Sequence, residues 1–307
     1  MNIIITEFMD ERAVAQLQAK HDVVYDPKLV DKPQELIAAA ATCNAIIVRN
    51  RTQVRGELLA ALKQCKVVGR LGVGLDNIDV TGCEALGLKV IPATGANALS
   101  VAEYVIASSM LLLRGAFASS HQVAAGQWPR NALSNGRETA GKTLGIIGFG
   151  SIGQTTARIA KALGMQVMAY DPVMASDAPA FAQIGAQAAT LDQVITQADV
   201  VTLHVPLVDG TRGLFNAQRI ASMKRGAVLI NTSRGHIVDV HAVAQSLKSG
   251  HLGGAALDVF DEEPMKAETS FEGCPGLLLT PHISGVTFEA NERVSFMIAD
   301  KVLEALH

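Results

Sequence analysis

The sequence has no run of apolar residues long enough to cross a bilayer, and its opening MNIIITEF carries no basic stretch ahead of the apolar one. A first strand is expected there rather than a signal peptide, and no membrane span anywhere. Cysteine is scarce. Cys43, Cys65, Cys83 and Cys274 are scattered without metal-ligand spacing, which points to free thiols in a reducing cytoplasm and to no bound metal. An excess of one charge is missing as well: 26 basic and 29 acidic residues leave a formal net charge of -3, giving no electrostatic reason to expect nucleic acid or an anionic membrane as partner. Repeats and low-complexity segments are absent. The chain does have apolar residues, 49% of 307, enough for the cores of two ordinary domains in a soluble metabolic protein.

The most informative stretch is Leu144 to Asp171, LGIIGFGSIGQTTARIAKALGMQVMAYD. An apolar run, three glycines, a helical pattern, a second apolar run and an acid read as one strand-turn-helix-strand unit that grips a dinucleotide. Gly148 permits the turn, Gly150 lets the backbone approach a pyrophosphate, and Gly153 lets the helix lie close on the sheet. Ser151 and Ile152 open that helix and aim free N–H groups and the positive dipole end at phosphate. Asp171 ends the second strand, where it accepts from ribose hydroxyls and repels a 2′-phosphate. No arginine follows it in Pro172, Val173 and Met174, so NAD is expected rather than NADP.

Before this unit, strands are expected at Asn2 to Thr6, His21 to Tyr25, Ala45 to Val48 and Val67 to Leu71. Helices are expected at Glu11 to Lys20, Pro33 to Ala41 and from Gly56. Turn residues at Ala93 to Asn97 break the pattern, and Ser100 is expected to cap a long helix, Val101 to Leu113. Further strands are expected at Thr143 to Ile147, Gln166 to Tyr170, Val200 to Val205, Ala227 to Asn231, Ala255 to Val259 and Leu277 to Thr280, with a last helix over Phe288 to Leu306. The fold class is therefore α/β with two domains: a doubly wound parallel-sheet (Rossmann) domain, 98–286, inserted into a smaller flavodoxin-like substrate domain, 1–97 completed by 287–307, with a cleft between them.

Open α/β sheets keep their chemistry at the strand ends. Three such ends carry polar residues: Ser233 with Arg234, Asp258 to Glu263, and His282. Arginine holds a carboxylate through two parallel hydrogen bonds, histidine exchanges a proton near neutral pH, and a carboxylate beside it favours the charged imidazole.

GRLGVGLDNIDV (69–80), SVAEYVIASSMLLLR (100–114), NTSRG (231–235), ALDVFDEEP (256–264) and TPHISG (280–285) together resemble the D-isomer-specific 2-hydroxyacid dehydrogenases, in order and across nearly the whole chain. The resemblance implies Arg234, Glu263 and His282 as the catalytic residues, with His282 exchanging the proton, Glu263 paired to it and Arg234 holding the substrate carboxylate. It implies Asp258 as the residue that orients the nicotinamide carboxamide, with Val205, Pro206, Thr232, Ser233 and His282 itself as further cofactor contacts, and the backbone of Val73 and Gly74 as a carboxylate cradle. Arg49 and Arg51, in VRNRT, resemble the distal-anion residues of phosphoglycerate dehydrogenases, which puts a 3-phosphoglycerate-like substrate first and sulfolactate second. The C-terminal regulatory domain that some phosphoglycerate dehydrogenases append is not expected. The helix from Val101 to Leu113, with Trp128, is expected in a homodimer interface. Two rivals remain: an NAD-sensing corepressor-like protein, and formate dehydrogenase, against which Glu263 argues. The other seven histidines, His204 and His236 among them, are expected to be structural or on the surface.

Overall fold

Asn2–Ile5 and Ala45–Val48 read NIII and AIIV, and Ala45–Val48 is buried at every position. Strands of that composition belong inside a parallel sheet covered by helices on both faces. The computed structural model describes all 307 residues in two compact units, Met1–Asn97 with Val286–His307, and Ala98–Gly285.

The first unit holds five parallel strands: β1 (Asn2–Ile5), β2 (Asp22–Tyr25), β3 (Ala45–Val48), β4 (Val67–Arg70) and β5 (Lys89–Pro92). Their order is β2-β1-β3-β4-β5, the flavodoxin-like arrangement. Period-two alternation sorts their side chains. Ile3, Ile5 and Ile47 pack on Val294, Ile298 and Val302 of the helix Phe288–Leu306, while Ile4, Ile46 and Val48 share the opposite core with Leu36 and Leu58. The helix Phe288–Leu306 starts where the Thr287 hydroxyl accepts from the Ala290 amide, and its buried positions recur three to four residues apart. The sequence pattern missed β5, because KVIP is short, only partly buried and paired on one side alone.

The second unit holds β6 (Thr143–Ile147), β7 (Gln166–Tyr170), β8 (Gln187–Ala188), β9 (Val200–Leu203), β10 (Val228–Asn231), β11 (Gly254–Leu257) and β12 (Leu277–Leu279). All are parallel, in the order β12-β11-β10-β9-β6-β7-β8. The order reverses at β6, the switch point where doubly wound sheets bind ligands. The helix Ala98–Arg114 supplies Val101, Val105, Ile106, Leu112 and Leu113 to one face of this sheet. It starts at Ala98, so Ser100 lies buried inside it and is not its cap; Ala98 and Leu99, both good helix formers, extend it by two residues. β9 stops at Leu203 and β11 at Leu257, which releases His204, Val205, Asp258 and Val259 into the loops at the strand ends. No single helix is long and apolar enough to cross a membrane.

Candidate active site

From β6 the chain turns through Gly148 into the helix Ser151–Ala162. Gly148 has φ of 97°, and a Cβ on it would stand 2.6 Å from the His204 backbone, so both its conformation and its neighbour exclude a side chain. Gly150 differs. A Cβ there would meet no protein atom within 4 Å, so the protein's own packing does not require glycine and the space beside it is open to a ligand. No side chain caps the helix, and its leading N–H groups are left for an anion. Asp171 is fixed nearby: Oδ2 accepts from the Phe149 amide at 2.7 Å, and Oδ1 from the amides of Val173 and Met174 at 2.9 and 3.1 Å. One acceptor position on Oδ2 is left.

The end of β10 carries Arg234. Asn231 shapes its loop, accepting from the Ser233 amide at 3.0 Å and donating to the Arg234 carbonyl at 2.9 Å, while the Ser233 hydroxyl donates to Leu203 O at 2.6 Å. Arg234 is half-buried, with Nη1 donating to Ser233 O. Thr232 has a buried hydroxyl with no partner in the protein. Val205 is buried and Pro206 exposed. Gly235 lies against the next loop so closely that a Cβ would reach 2.1 Å from the Phe260 carbonyl carbon.

That next loop delivers Glu263. Its Oε1 accepts from the Phe260 amide at 3.0 Å, and its Oε2 stands 2.7 Å from Nδ1 of His282. A carboxylate there fixes the proton on Nδ1, which leaves Nε2 to exchange one. His282 is the one non-glycine residue with positive φ, 53°, a conformation costing roughly 1–3 kcal/mol that surrounding contacts must hold. Asp258 supplies several of them. Fully buried, it accepts from the Thr280 hydroxyl at 2.6 Å and from the amides of Ile283 and Ser284 at 2.9 and 2.8 Å, while its carbonyl accepts from the His282 amide at 2.8 Å. Arg234, Glu263 and His282 thus sit on three consecutive strand-end loops of one unit. His204, set aside from sequence, is the histidine whose burial pushes its imidazole down to about 3, keeping it neutral beside Thr202.

In the first unit, the amides of Val73 and Gly74 make no hydrogen bond within the protein. Arg49 and Arg51 follow β3 but differ in surroundings. Arg51 is exposed and paired with Asp31. Arg49 is half-buried, lies 5.7 Å over the Phe8 ring and donates to Asn291 at 2.9 Å. Burial lowers the Arg49 guanidinium below its ordinary value, with Glu7 opposing. Sequence reasoning passed over Glu7, whose buried carboxylate gathers the amides of Arg49, Arg51 and Thr52 at 2.9–3.1 Å. Burial pushes its carboxyl up, and those amide bonds outweigh the burial and leave it below the usual value. An acid two residues past the apolar run Ile3 to Ile5 was the available signal.

Residues 106–284 match the family described as D-isomer specific 2-hydroxyacid dehydrogenase, NAD binding domain. An (S)-sulfolactate dehydrogenase of Chromohalobacter salexigens is 51% identical over 305 residues, covering 99% of this chain and 98% of that protein. The chain belongs to the D-isomer specific 2-hydroxyacid dehydrogenase family. A D-3-phosphoglycerate dehydrogenase of Archaeoglobus fulgidus is 35% identical over 99% of this chain, which spans 57% of that relative. A D-lactate dehydrogenase of Aquifex aeolicus, solved with NAD and lactic acid, aligns with a TM-score of 0.83 at 27% identity, covering 99% of this chain and 95% of the other.

As a family member the chain is an NAD-dependent 2-hydroxyacid oxidoreductase. The open space at Gly150, the uncapped helix and the orphaned Thr232 hydroxyl fit that cofactor. Asp171 is a fixed acceptor with no cation in the three residues after it, and a like charge set against a 2′-phosphate would cost several kcal/mol. Catalytic efficiency is expected to favour NADH over NADPH by about a hundredfold or more. Equal kcat/KM with both cofactors would show that Asp171 does not set the preference.

Proposed function

We propose that the protein interconverts a small D-2-hydroxy acid bearing a second anionic group and its 2-oxo acid, with sulfolactate as substrate. The observation that carries the chemistry is the 2.7 Å contact between His282 Nδ1 and Glu263, on the unit that also holds the dinucleotide turn. When bound, NADH supplies the hydride that reduces the carbonyl carbon, and NAD accepts it in reverse. His282 gives the carbonyl oxygen a proton from Nε2 during reduction and takes it back during oxidation. Glu263 holds the ring by Nδ1 and so aims Nε2, and Arg234 grips the carboxylate and polarises the carbonyl beside it. The amides of Val73 and Gly74 are assigned to the same anionic class of group, and Asp258 to the nicotinamide carboxamide.

The sequence reading puts phosphoglycerate ahead of sulfolactate; similarity over the full length of a sulfolactate dehydrogenase supports the opposite order, which is the one proposed. The (S) descriptor agrees with a D-specific family, because sulfur raises the CH2SO3 arm above the carboxyl in priority and the D arrangement is then named S. Arg49 is the residue assigned to the sulfonate. It is a half-buried cation whose acidic neighbour has its oxygens engaged by backbone amides, and a cation so placed calls for an anion. A panel of 2-oxo acids assayed with NADH is expected to give the highest kcat/KM with sulfopyruvate, ahead of phosphohydroxypyruvate and pyruvate. R49A is expected to raise KM for sulfopyruvate about tenfold or more while KM for pyruvate holds within about twofold, and R51A to change neither. Equal effects of R49A on both acids would remove Arg49 from the substrate.

We also propose a cytoplasmic homodimer. The helix Ala98–Arg114 turns most of its apolar residues to its own unit, and the exposed Phe117, Val123 and Trp128 that follow it are the apolar surface offered to a second copy. Sedimentation at assay concentration is expected to give twice the chain mass, and a monomer would refute the dimer.

A further inference from the structure

We propose that Tyr104 and Thr280 are positioning residues for His282, acting through the Asp258 carboxylate. The inference rests on the reading of His282 as the proton-transfer residue. Thr280 sits two residues before His282, and its hydroxyl donates to Asp258 Oδ1 at 2.6 Å. A hydroxyl has one proton, so the 2.6 Å contact between Thr280 Oγ1 and the Tyr104 hydroxyl must have Tyr104 as donor. The bonds therefore run one way, from Tyr104 to Thr280 to Asp258.

Their effect is local and specific. The Asp258 carboxylate collects Thr280 on one side of His282 and the amides of Ile283 and Ser284 on the other, while the Asp258 carbonyl takes the His282 amide itself. Residues 280 to 284 are thus pinned to one fully buried acid, and the residue between the pins is the one held at φ 53°. The ring of His282 has a single anchor of its own, Glu263, and both side chains are substantially exposed. Where the ring points is decided by the backbone beneath it. Tyr104, half-buried on the helix Ala98–Arg114, ties that backbone to an element packed into the sheet core, with the last hydroxyl aimed by Thr280.

The test compares T280V, T280S, Y104F and H282A. T280V keeps the shape of threonine and deletes both hydroxyl contacts; it is expected to lower kcat for the preferred 2-oxo acid about tenfold, with the NADH dissociation constant and KM within about twofold. T280S restores the hydroxyl and is expected to recover most of the rate. Y104F removes only the outer bond and is expected to cost about threefold. A second readout needs no cofactor: the downfield ring proton on His282 Nδ1, assigned by its absence from H282A, is expected to move or broaden in T280V and return in T280S. Wild-type kcat and an unmoved ring proton in T280V would overturn the inference while H282A remains inactive. So would a T280V in which NADH affinity falls as far as kcat, since Thr280 would then act through the hold of Asp258 on the cofactor and not through the histidine. Wild-type turnover in H282A would overturn the reading underneath, and the inference with it.

Discussion

H282A is expected to lower turnover of the 2-oxo acid by about a hundredfold or more while NADH binding stays within about twofold. Of the two imidazoles in the Arg234, Glu263 and His282 loops, His282 stands within hydrogen-bond reach of a carboxylate at 2.7 Å while His236 lies 3.6 Å from Asp261, and removing a general acid costs between two and four powers of ten. Glu263 stands behind the ring, against Nδ1 and away from Nε2, with its other oxygen held by the Phe260 amide. The dinucleotide turn from Gly148 to Asp171 shares none of these bonds, so cofactor affinity and turnover separate in this variant. Stopped-flow measurement of NADH oxidation beside a fluorescence titration of NADH checks both halves. Wild-type turnover would mean that the proton comes from another group or from water.

The second large effect is expected at Arg234. R234A should lower kcat/KM for the 2-oxo acid by about a hundredfold to a thousandfold, since it removes a two-pronged charged contact to a carboxylate, worth roughly 2–5 kcal/mol where water is excluded. R234K is expected to recover only part of that loss, because an ammonium restores the charge without the planar fork. The loop should survive both changes. It is shaped by Asn231, by the Ser233 hydroxyl on Leu203 O and by the close contact of Gly235 with Phe260, none of which uses the guanidinium. Initial rates over a range of 2-oxo acid concentrations, with circular dichroism to confirm folding, check the expectation. A loss in R234A of threefold or less would place the substrate carboxylate elsewhere.

What the sequence determined by itself is what can be read within a few residues. Short apolar runs marked most strands, because a parallel strand buried on both faces has few polar positions to blur the signal, as in β3. The dinucleotide turn was legible because its glycines answer to local geometry: Gly148 needs a positive φ, and Gly153 would otherwise drive a Cβ to 2.2 Å from Gly148 O. The family resemblance singled out Glu263 among the acids that follow β11, while Arg234 and His282 stood out as polar residues just past apolar strands. The short edge strand β5 and the true start of the helix Ala98–Arg114 did not, since one has little burial and the other depends on a core that propensity does not see. Only the tertiary structure decided which residues support the site. Tyr104 meets Thr280 across 176 positions, and Glu7 gathers the amides that carry Arg49 across 42. It also separated Arg49, half-buried and without a free acid beside it, from Arg51, paired with Asp31 in solvent. Two arginines two residues apart look alike in sequence because charge belongs to the residue, whereas burial and partners belong to the fold.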